Sequence, residues 1–217
     1  MKPTISAREH YDRLADAGNG RNDPPFLQEY MTRWDGPLFY DALGDLGDAD
    51  VLEVGIGTGR IARQILQRGC RHLTGLDISP KTLAAAREEL AGFTNLQLIL
   101  TDVAEFRRDM SFDAACSVLT FMHIQNKPQA LQNIVASLRT GGRVVLSIDQ
   151  PSDRIDFGEW TVELSPWLPK QYAKALEDAG CDVAEPVPLI DSYTDPDGKH
   201  LDTYGECVAT LVCGVKK

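Results

Sequence analysis

A chain of 217 residues with ordinary apolar and charged fractions, 43% and 25%, is long enough for one domain with a full core. Its net charge of -10 argues against the broad basic footprint of non-specific nucleic-acid binding, so no nucleic-acid partner is expected. No apolar run approaches a membrane span, and the start Met1-Lys2-Pro3-Thr4-Ile5-Ser6 carries no apolar signal core. Cys70, Cys116, Cys181, Cys207 and Cys213 are scattered, without a C-x-x-C pair. That pattern suggests reduced thiols in a cytoplasmic protein and no zinc knuckle; Cys116, Cys207 and Cys213 lie in apolar strand-like runs.

Ser6-Ala7-Arg8-Glu9 has the spacing of a capping box, which starts a helix that ends before Gly18. The stretch 18–25 is turn-rich. A second helical stretch from Pro25 carries Leu27, Tyr30, Met31 and Trp34 at helical spacing. Pro37 interrupts it, and a further turn or two runs to Leu46. Residues 1–49 thus read as a helical cap on a core formed by 50–217, the whole chain being one domain.

From Asp50 strands and helices alternate. Val51–Val54, His72–Asp77, Leu96–Leu100, Phe112–Val118 and Arg143–Ile148 read as five strands. Between them run the helix stripes Ile61, Ala62, Ile65, Leu66; Leu83, Ala86, Leu90; and Leu131, Ile134, Val135, Leu138. Ser79-Pro80 is an N-cap followed by proline at the first helical position. Tyr172, Ala175, Leu176 and Ala179 form a last helix. Asp182–Ile190 and Glu206–Val215 are two further strands with no helix between them, so they pair antiparallel. The expected fold is α/β and Rossmann-like: a seven-stranded, mostly parallel sheet with an antiparallel last strand, helices on both faces and an N-terminal helical cap. Ligands of such sheets bind at the carboxyl ends of the strands.

The first strand runs into Gly55, Gly57 and Gly59, and Glu53 precedes the loop by two residues. A glycine turn between strand and helix brings bare backbone against a ligand. A dinucleotide fingerprint G-x-G-x-x-G would place its third glycine at position 60, which is Arg60. The carboxylate of Glu53 suits a ligand with positive charge near the turn. Asp77 ends the second strand, where an acid can accept hydrogen bonds from ribose hydroxyls. Asp102 follows the third strand, where an acid can accept from an exocyclic amine while the next N–H meets a ring nitrogen. Asp102 also has the alternative of capping a helix.

Glu53-Val-Gly-Ile-Gly-Thr-Gly59, Leu76-Asp77-Ile78-Ser79, Leu100-Thr-Asp102-Val103, Phe112-Asp-Ala-Ala-Cys-Ser117 and Leu138-Arg-Thr-Gly-Gly-Arg-Val-Val-Leu146 together resemble the class I S-adenosylmethionine-dependent methyltransferases. The motifs cover about residues 50–150 in the family's order. Tyr11-Asp12 in the helical lead-in is similar to the small-molecule branch. The resemblance implies S-adenosyl-L-methionine as cofactor, with Gly55, Gly57 and Gly59 under its methionine part and Asp77 on the ribose. It further implies Ile78 beside the adenine, Asp102 and Val103 reading the adenine amine and ring, and the backbone of Ser117 facing the cofactor's amino group.

Methyl transfer from a sulfonium is an in-line displacement in which the protein aligns the partners and excludes water. An acidic nucleophile also needs a base. His123, just past the fourth strand, is the candidate, with a pocket-wall or orienting role as the alternative. Tyr11 can close over the methyl donor or simply pack its helix; Tyr30 and Trp34 read as core. Arg60 can meet the cofactor carboxylate or cap a neighbouring loop. Asp23-Pro24-Pro25-Phe26 resembles a motif of amino-methyltransferases but precedes the glycine loop, so it reads as a rigid turn. Asp149 follows the fifth strand, but the fourth strand ends without an acid. A catechol-type metal cluster is therefore incomplete, no metal is expected, and Asp149 reads as a capping or loop residue. Gln150–Pro169, with Trp160 and Trp167, fits no pattern and is placed to be a substrate loop, a lid or an interface edge. The short cap, the acidic chain and the lack of a recognition domain suit a small-molecule acceptor, methylated on oxygen, nitrogen or carbon. A protein or RNA methyltransferase of the same fold, a non-catalytic S-adenosylmethionine-binding protein and a nicotinamide dehydrogenase are the alternatives.

Overall fold

Strand and helix alternate along the chain because apolar residues recur first at period two and then at helical spacing. The computed structural model describes residues 2–18, 36–195 and 197–217. Its elements are β1 (Thr4–Ile5), α1 (Ala7–Asp16), α2 (36–43), β2 (Asp50–Val54), α3 (Arg60–Gln67), β3 (His72–Asp77), α4 (Pro80–Glu89), β4 (Leu96–Leu100) and β5 (Phe112–Val118). There follow a 3-10 turn (Phe121–His123), α5 (Lys127–Ser137), β6 (Leu138–Ile148), β7 (Arg154–Asp156), β8 (Thr161–Glu163), α6 (Pro169–Asp178), β9 (Cys181–Val183), β10 (Val187–Ile190) and β11 (Cys207–Lys216). The expected Leu27, Tyr30, Met31 and Trp34 helix and the Asp23–Phe26 motif lie outside the described residues.

The main sheet has the order β10-β11-β6-β5-β2-β3-β4, with β9 also on β11. Strands β4, β3, β2, β5 and β6 are parallel, and β11 runs antiparallel to β6. The chain steps outward from β2 to β3 and β4, then returns to the other side of β2 for β5 and β6. That reversal opens a crevice between the carboxyl ends of β2 and β5.

Both faces of the sheet are covered. Val51 and Leu73 face one core with Phe39 and Leu43 of α2 and Ile61 and Ile65 of α3. Leu52, Val54 and Leu76 face the other with Leu131 and Ile134 of α5 and Tyr172 and Leu176 of α6. The alternation along β2 is the pleat itself.

Among the described residues seven strands lie along the path of the main sheet, as expected, and β9 joins β11 as an eighth. The expected strand Asp182–Ile190 divides into β9 and β10 around Pro186, which has no N–H to continue a ladder. Pro188 is tolerated because β10 is an edge strand. The capping box at Ser6 is only half made. Ser6 Oγ accepts from the Glu9 N–H at 3.2 Å, but the Glu9 carboxylate turns to Arg13 at 2.7 Å.

Gln150–Pro169 supplies β7 and β8, which join β1 in a second sheet of order β1-β8-β7. Thr4 and Ile5 pair with Thr161 and Val162. The N-terminal cap is thereby tied to the unassigned segment. All five cysteines are free thiols; Cys116 is buried, and Cys207 and Cys213 are half-buried. No helix among the described residues is long and apolar enough to cross a membrane.

Candidate functional site at the crevice

The glycine loop sits at the crevice, and its three glycines serve different ends. All three have positive φ, +74° at Gly55, +57° at Gly57 and +95° at Gly59, a region costly for other residues. A β-carbon at Gly55 would lie 2.2 Å from Thr120 Oγ1, in the loop after β5. One at Gly59 would lie 2.6 Å from Leu90 Cδ1. One at Gly57 would meet nothing within 4 Å. The outer glycines let the chain pack closely, while the middle one leaves an open side.

The end of β3 holds this loop in place. The N–H groups of Gly55 and Ile56 both donate to the Leu76 carbonyl, at 2.8 and 3.0 Å. The Gly57 N–H donates to Asp77 Oδ2 at 3.1 Å, and the Ser79 N–H to Asp77 Oδ1 at 2.9 Å. Each carboxylate oxygen keeps a second lone pair. Burial raises the Asp77 pKa, backbone amides at Ser79, Gly57 and Ile78 oppose the rise, and Asp12 adds to it. Asp12 accepts from Ser79 Oγ at 2.6 Å, which docks α1 on the start of α4; Ser79 Oγ in turn caps Thr82 N–H at 3.0 Å.

Glu53 is buried, at 3% exposure, and so are Val103 and Ser117; Arg60 and Ile78 are half-buried. The Ser117 hydroxyl donates to the Val54 carbonyl at 2.9 Å, joining the ends of β5 and β2. Asp102 is exposed and its Oδ1 accepts from the Ala104 N–H at 2.8 Å, so it caps the turn that follows β4. Asn133 Nδ2 donates to the carbonyls of Val103 and Ala104, both at 2.8 Å, and fixes that turn against α5.

On the β5 side, Tyr11 and His123 meet. Tyr11 Oη lies 3.0 Å from His123 Nε2. Burial and the negative fields of Asp77 and Asp149 push the Tyr11 phenol well above its ordinary range. Burial, then His10 and Lys127, pushes the imidazole of His123 down to about 4. Its Nδ1 is buried with no hydrogen-bond partner among the described residues. A buried orphan donor is rarer than an orphan acceptor, which assigns the proton to Nε2, donated to Tyr11 Oη. The phenol's own hydrogen is then left for another acceptor. Asp149 Oδ1 accepts from the Gln150 N–H at 2.8 Å, as a loop residue does, and burial raises its pKa.

The crevice therefore brings together the glycine loop, Glu53, Asp77, Ser117, Tyr11 and His123, with Asp102 and Val103 at the next strand end. Residues 51–142, which hold all of these but Tyr11, match the family described as a methyltransferase domain. That stretch of the chain carries the methyltransferase domain the family describes. A demethylmenaquinone methyltransferase of Tropheryma whipplei is 33% identical over 146 residues, 67% of this chain and 59% of that protein. The chain thus spans about three-fifths of that relative's length.

Two solved structures share the methyltransferase fold almost end to end. The N-methyltransferase NodS of Bradyrhizobium japonicum, in complex with S-adenosylhomocysteine, gives a TM-score of 0.69 at 17% identity, over 98% of this chain and 99% of that one. The [4+2]-cyclase SpnF gives 0.74 at 18% identity, over 99% and 98%. At such identities the likeness is one of fold.

Three residues around this crevice escape a reading of the sequence: His10, Asn133 and Lys127. His10 is 1% exposed and packs against Phe157, the rings tilted with centroids 4.1 Å apart. Its Nδ1 accepts from Trp160 Nε1 at 3.1 Å. The indole N–H can only donate, so the His10 proton sits on Nε2. These contacts join distant segments; their sequence signal was limited to the two tryptophans in an unpatterned stretch. Among the described residues no group of three His, Cys, Asp or Glu side chains is placed to hold a metal ion.

Both imidazoles are held neutral, with pKa values below the ordinary 6.5. Their contribution to stability is full above pH 6.5. As pH falls the unfolded chain takes up protons that the folded chain refuses, and stability is lost until the folded pKa is passed, about 4 for His123. By pH 5 the His123 share of the loss is up to about 2 kcal/mol. Urea unfolding at pH 7 and pH 5 checks this: His123→Gln should lose less stability than the wild type between the two, and equal losses would contradict the assignment.

Proposed function

We propose that the chain is an S-adenosyl-L-methionine-dependent methyltransferase that methylates an oxygen or nitrogen of a small molecule, with carbon as the further acceptor type. The observation that carries this reading is the open side of the loop at Gly57 beside the half-buried carboxylate of Asp77, at the switch point of the sheet. The residues present fit the cofactor. Asp77 has lone pairs for ribose hydroxyls, Glu53 offers negative potential to a cationic ligand, and the exposed Asp102 with Val103 suits an adenine edge. Ile78 flanks the ring, the backbone of Ser117 and the loop Gly55–Gly59 take the methionine part, and Arg60 is placed to meet its carboxylate.

Bound S-adenosylmethionine supplies a methyl already activated by its sulfonium. What the protein adds is alignment and a dry crevice. Tyr11, held by His123, presents its hydroxyl hydrogen to the acceptor, and its ring face tolerates the cationic donor. An imidazole held near 4 is a weak base at neutral pH, which favours the orienting role of His123 over proton abstraction. The cap 1–49 and the core 50–217 act as one unit, in the cytoplasm, with no nucleic-acid partner. Sequence similarity to a demethylmenaquinone methyltransferase supports a small-molecule acceptor.

The test is a methyl-transfer screen over a metabolite library, scored by release of S-adenosylhomocysteine. Acceptor-dependent release supports the reading. Cofactor binding with no release from any metabolite, peptide or RNA would favour a binding protein, and an end-to-end fold match to a cyclase makes that outcome worth scoring. With an acceptor in hand, Tyr11→Phe should leave S-adenosylhomocysteine binding within about twofold and lower turnover about tenfold, the worth of one hydrogen bond. Unchanged turnover would remove Tyr11 from the mechanism.

A further inference from the structure

Lys127 stands where a cation is unfavourable twice over. It is wholly buried, at 0% exposure, and it is the first residue of α5, where the helix dipole opposes positive charge. Its ammonium meets main-chain carbonyls rather than a carboxylate: it donates to Ile124 O at 2.6 Å and to Ser165 O at 2.5 Å. The Trp167 ring centroid lies 5.8 Å away. These two carbonyls belong to different parts of the crevice. Ile124 closes the turn that carries His123, and Ser165 belongs to the segment that also carries Trp160. The Ser165 N–H donates to Met122 O at 2.8 Å, so the two segments meet on both sides of the ammonium.

We propose that Lys127 is a positioning residue for the Tyr11–His123 pair, pinning the His123 turn to the Gln150–Pro169 segment through the carbonyls of Ile124 and Ser165. What the pair is for rests on the methyltransferase reading; the pinning does not. Three groups act on His123: Tyr11, itself under the fields of Asp77 and Asp149, His10 on the neighbouring position of α1, and Lys127. The Lys127 charge opposes protonation of the imidazole. Burial pushes the ammonium down to about 8, so the pin is charged at neutral pH and loosens in alkali.

Lys127→Met tests this in the ligand-free full chain. Methionine keeps the side-chain length and removes the desolvation cost of the buried charge, which offsets the loss of the two hydrogen bonds to the Ile124 and Ser165 carbonyls, so the variant is expected to fold. Two signals are read by NMR: hydrogen exchange at the Ser165 amide and the titration of the His123 ring. The expected result is exchange about tenfold faster at Ser165 and a higher His123 midpoint. S-adenosylhomocysteine should bind within about twofold of wild type, because Lys127 touches none of the cofactor residues. Wild-type values for both signals would overturn the proposal. If the variant does not fold, the wild type is followed from pH 7 to 9.5. Ser165 protection must then fall beyond the base-catalysed rate, and constant protection overturns the proposal. Failure of S-adenosylhomocysteine to bind either protein would defeat the cofactor reading alone, since the Ser165 and His123 signals still decide the role of Lys127.

Discussion

Gly55→Ala is expected to lower stability by about 3 kcal/mol or more and to abolish binding of S-adenosylhomocysteine. Two separate costs add at this position. The backbone is held at φ +74°, where an L side chain costs about 1–2 kcal/mol. The added carbon would also lie 2.2 Å from Thr120 Oγ1 and 2.4 Å from its Cγ2, so the loop after β5 must move. Overpacking of this kind costs about 1–3 kcal/mol. Those loops form the two walls of the crevice, so relief of the clash comes at the expense of the site. Thr120→Gly removes the side chain the new carbon would strike. The double variant should therefore recover the steric part and leave the backbone part, a coupling of about 1–3 kcal/mol in a double-mutant cycle. A Gly55→Ala protein with wild-type Tm and wild-type affinity would show that the loops do not meet as described.

Asp77→Ala is expected to weaken S-adenosylhomocysteine binding by about 1.5–3 kcal/mol, roughly ten- to 150-fold in Kd, the range for hydrogen bonds to a charged group. Stability should change far less than affinity in Asp77→Asn. Burial lifts the folded pKa of Asp77 above its ordinary 3.8. A half-buried acid of this kind binds its proton more readily folded than unfolded, so ionising it costs folding free energy as pH rises through that window. Asparagine removes the charge and keeps an oxygen for the Gly57 N–H, but its NH2 cannot accept from the Ser79 N–H. The gain and the loss oppose each other, so the variant should stay within about 1 kcal/mol of wild type at pH 7 while binding poorly. Binding by the wild type should be full at neutral pH and fade on acidification as the carboxylate protonates, earlier than an ordinary aspartate would. Calorimetric Kd values and urea midpoints for the three proteins check both halves. Wild-type affinity in Asp77→Ala would remove it from the cofactor site.

Most of what positions this site is legible in the chain. Strands β3, β4 and β5 have the bounds their apolar runs indicate, because short runs flanked by glycine, proline or aspartate have few other ways to fold. The strand ends then place Asp77, Asp102 and Ser117 without further information. The division at Pro186 has a signal that a single-strand reading of Asp182–Ile190 passes over: a residue without an N–H interrupts a ladder, except on an edge strand such as the one that holds Pro188. The second sheet was not. Strands of two and three residues, such as Thr4–Ile5 and Thr161–Glu163, carry no period to detect, and their partners are far apart in sequence. The same holds for His10 with Trp160 and for Lys127 with Ser165. Each is an ordinary residue on its own helix, and only the packing of α1 and the Gln150–Pro169 segment over the crevice gives it a role. Tyr11 and His123 are legible as candidates, but their hydrogen bond depends on that same packing.

The most direct measurement is a pair of calorimetric titrations of the full chain, one with S-adenosylhomocysteine and one with NAD. S-adenosylhomocysteine should bind one to one, more weakly in Asp77→Ala, and NAD should give no heat of binding. Binding of NAD in place of S-adenosylhomocysteine would contradict the cofactor assignment.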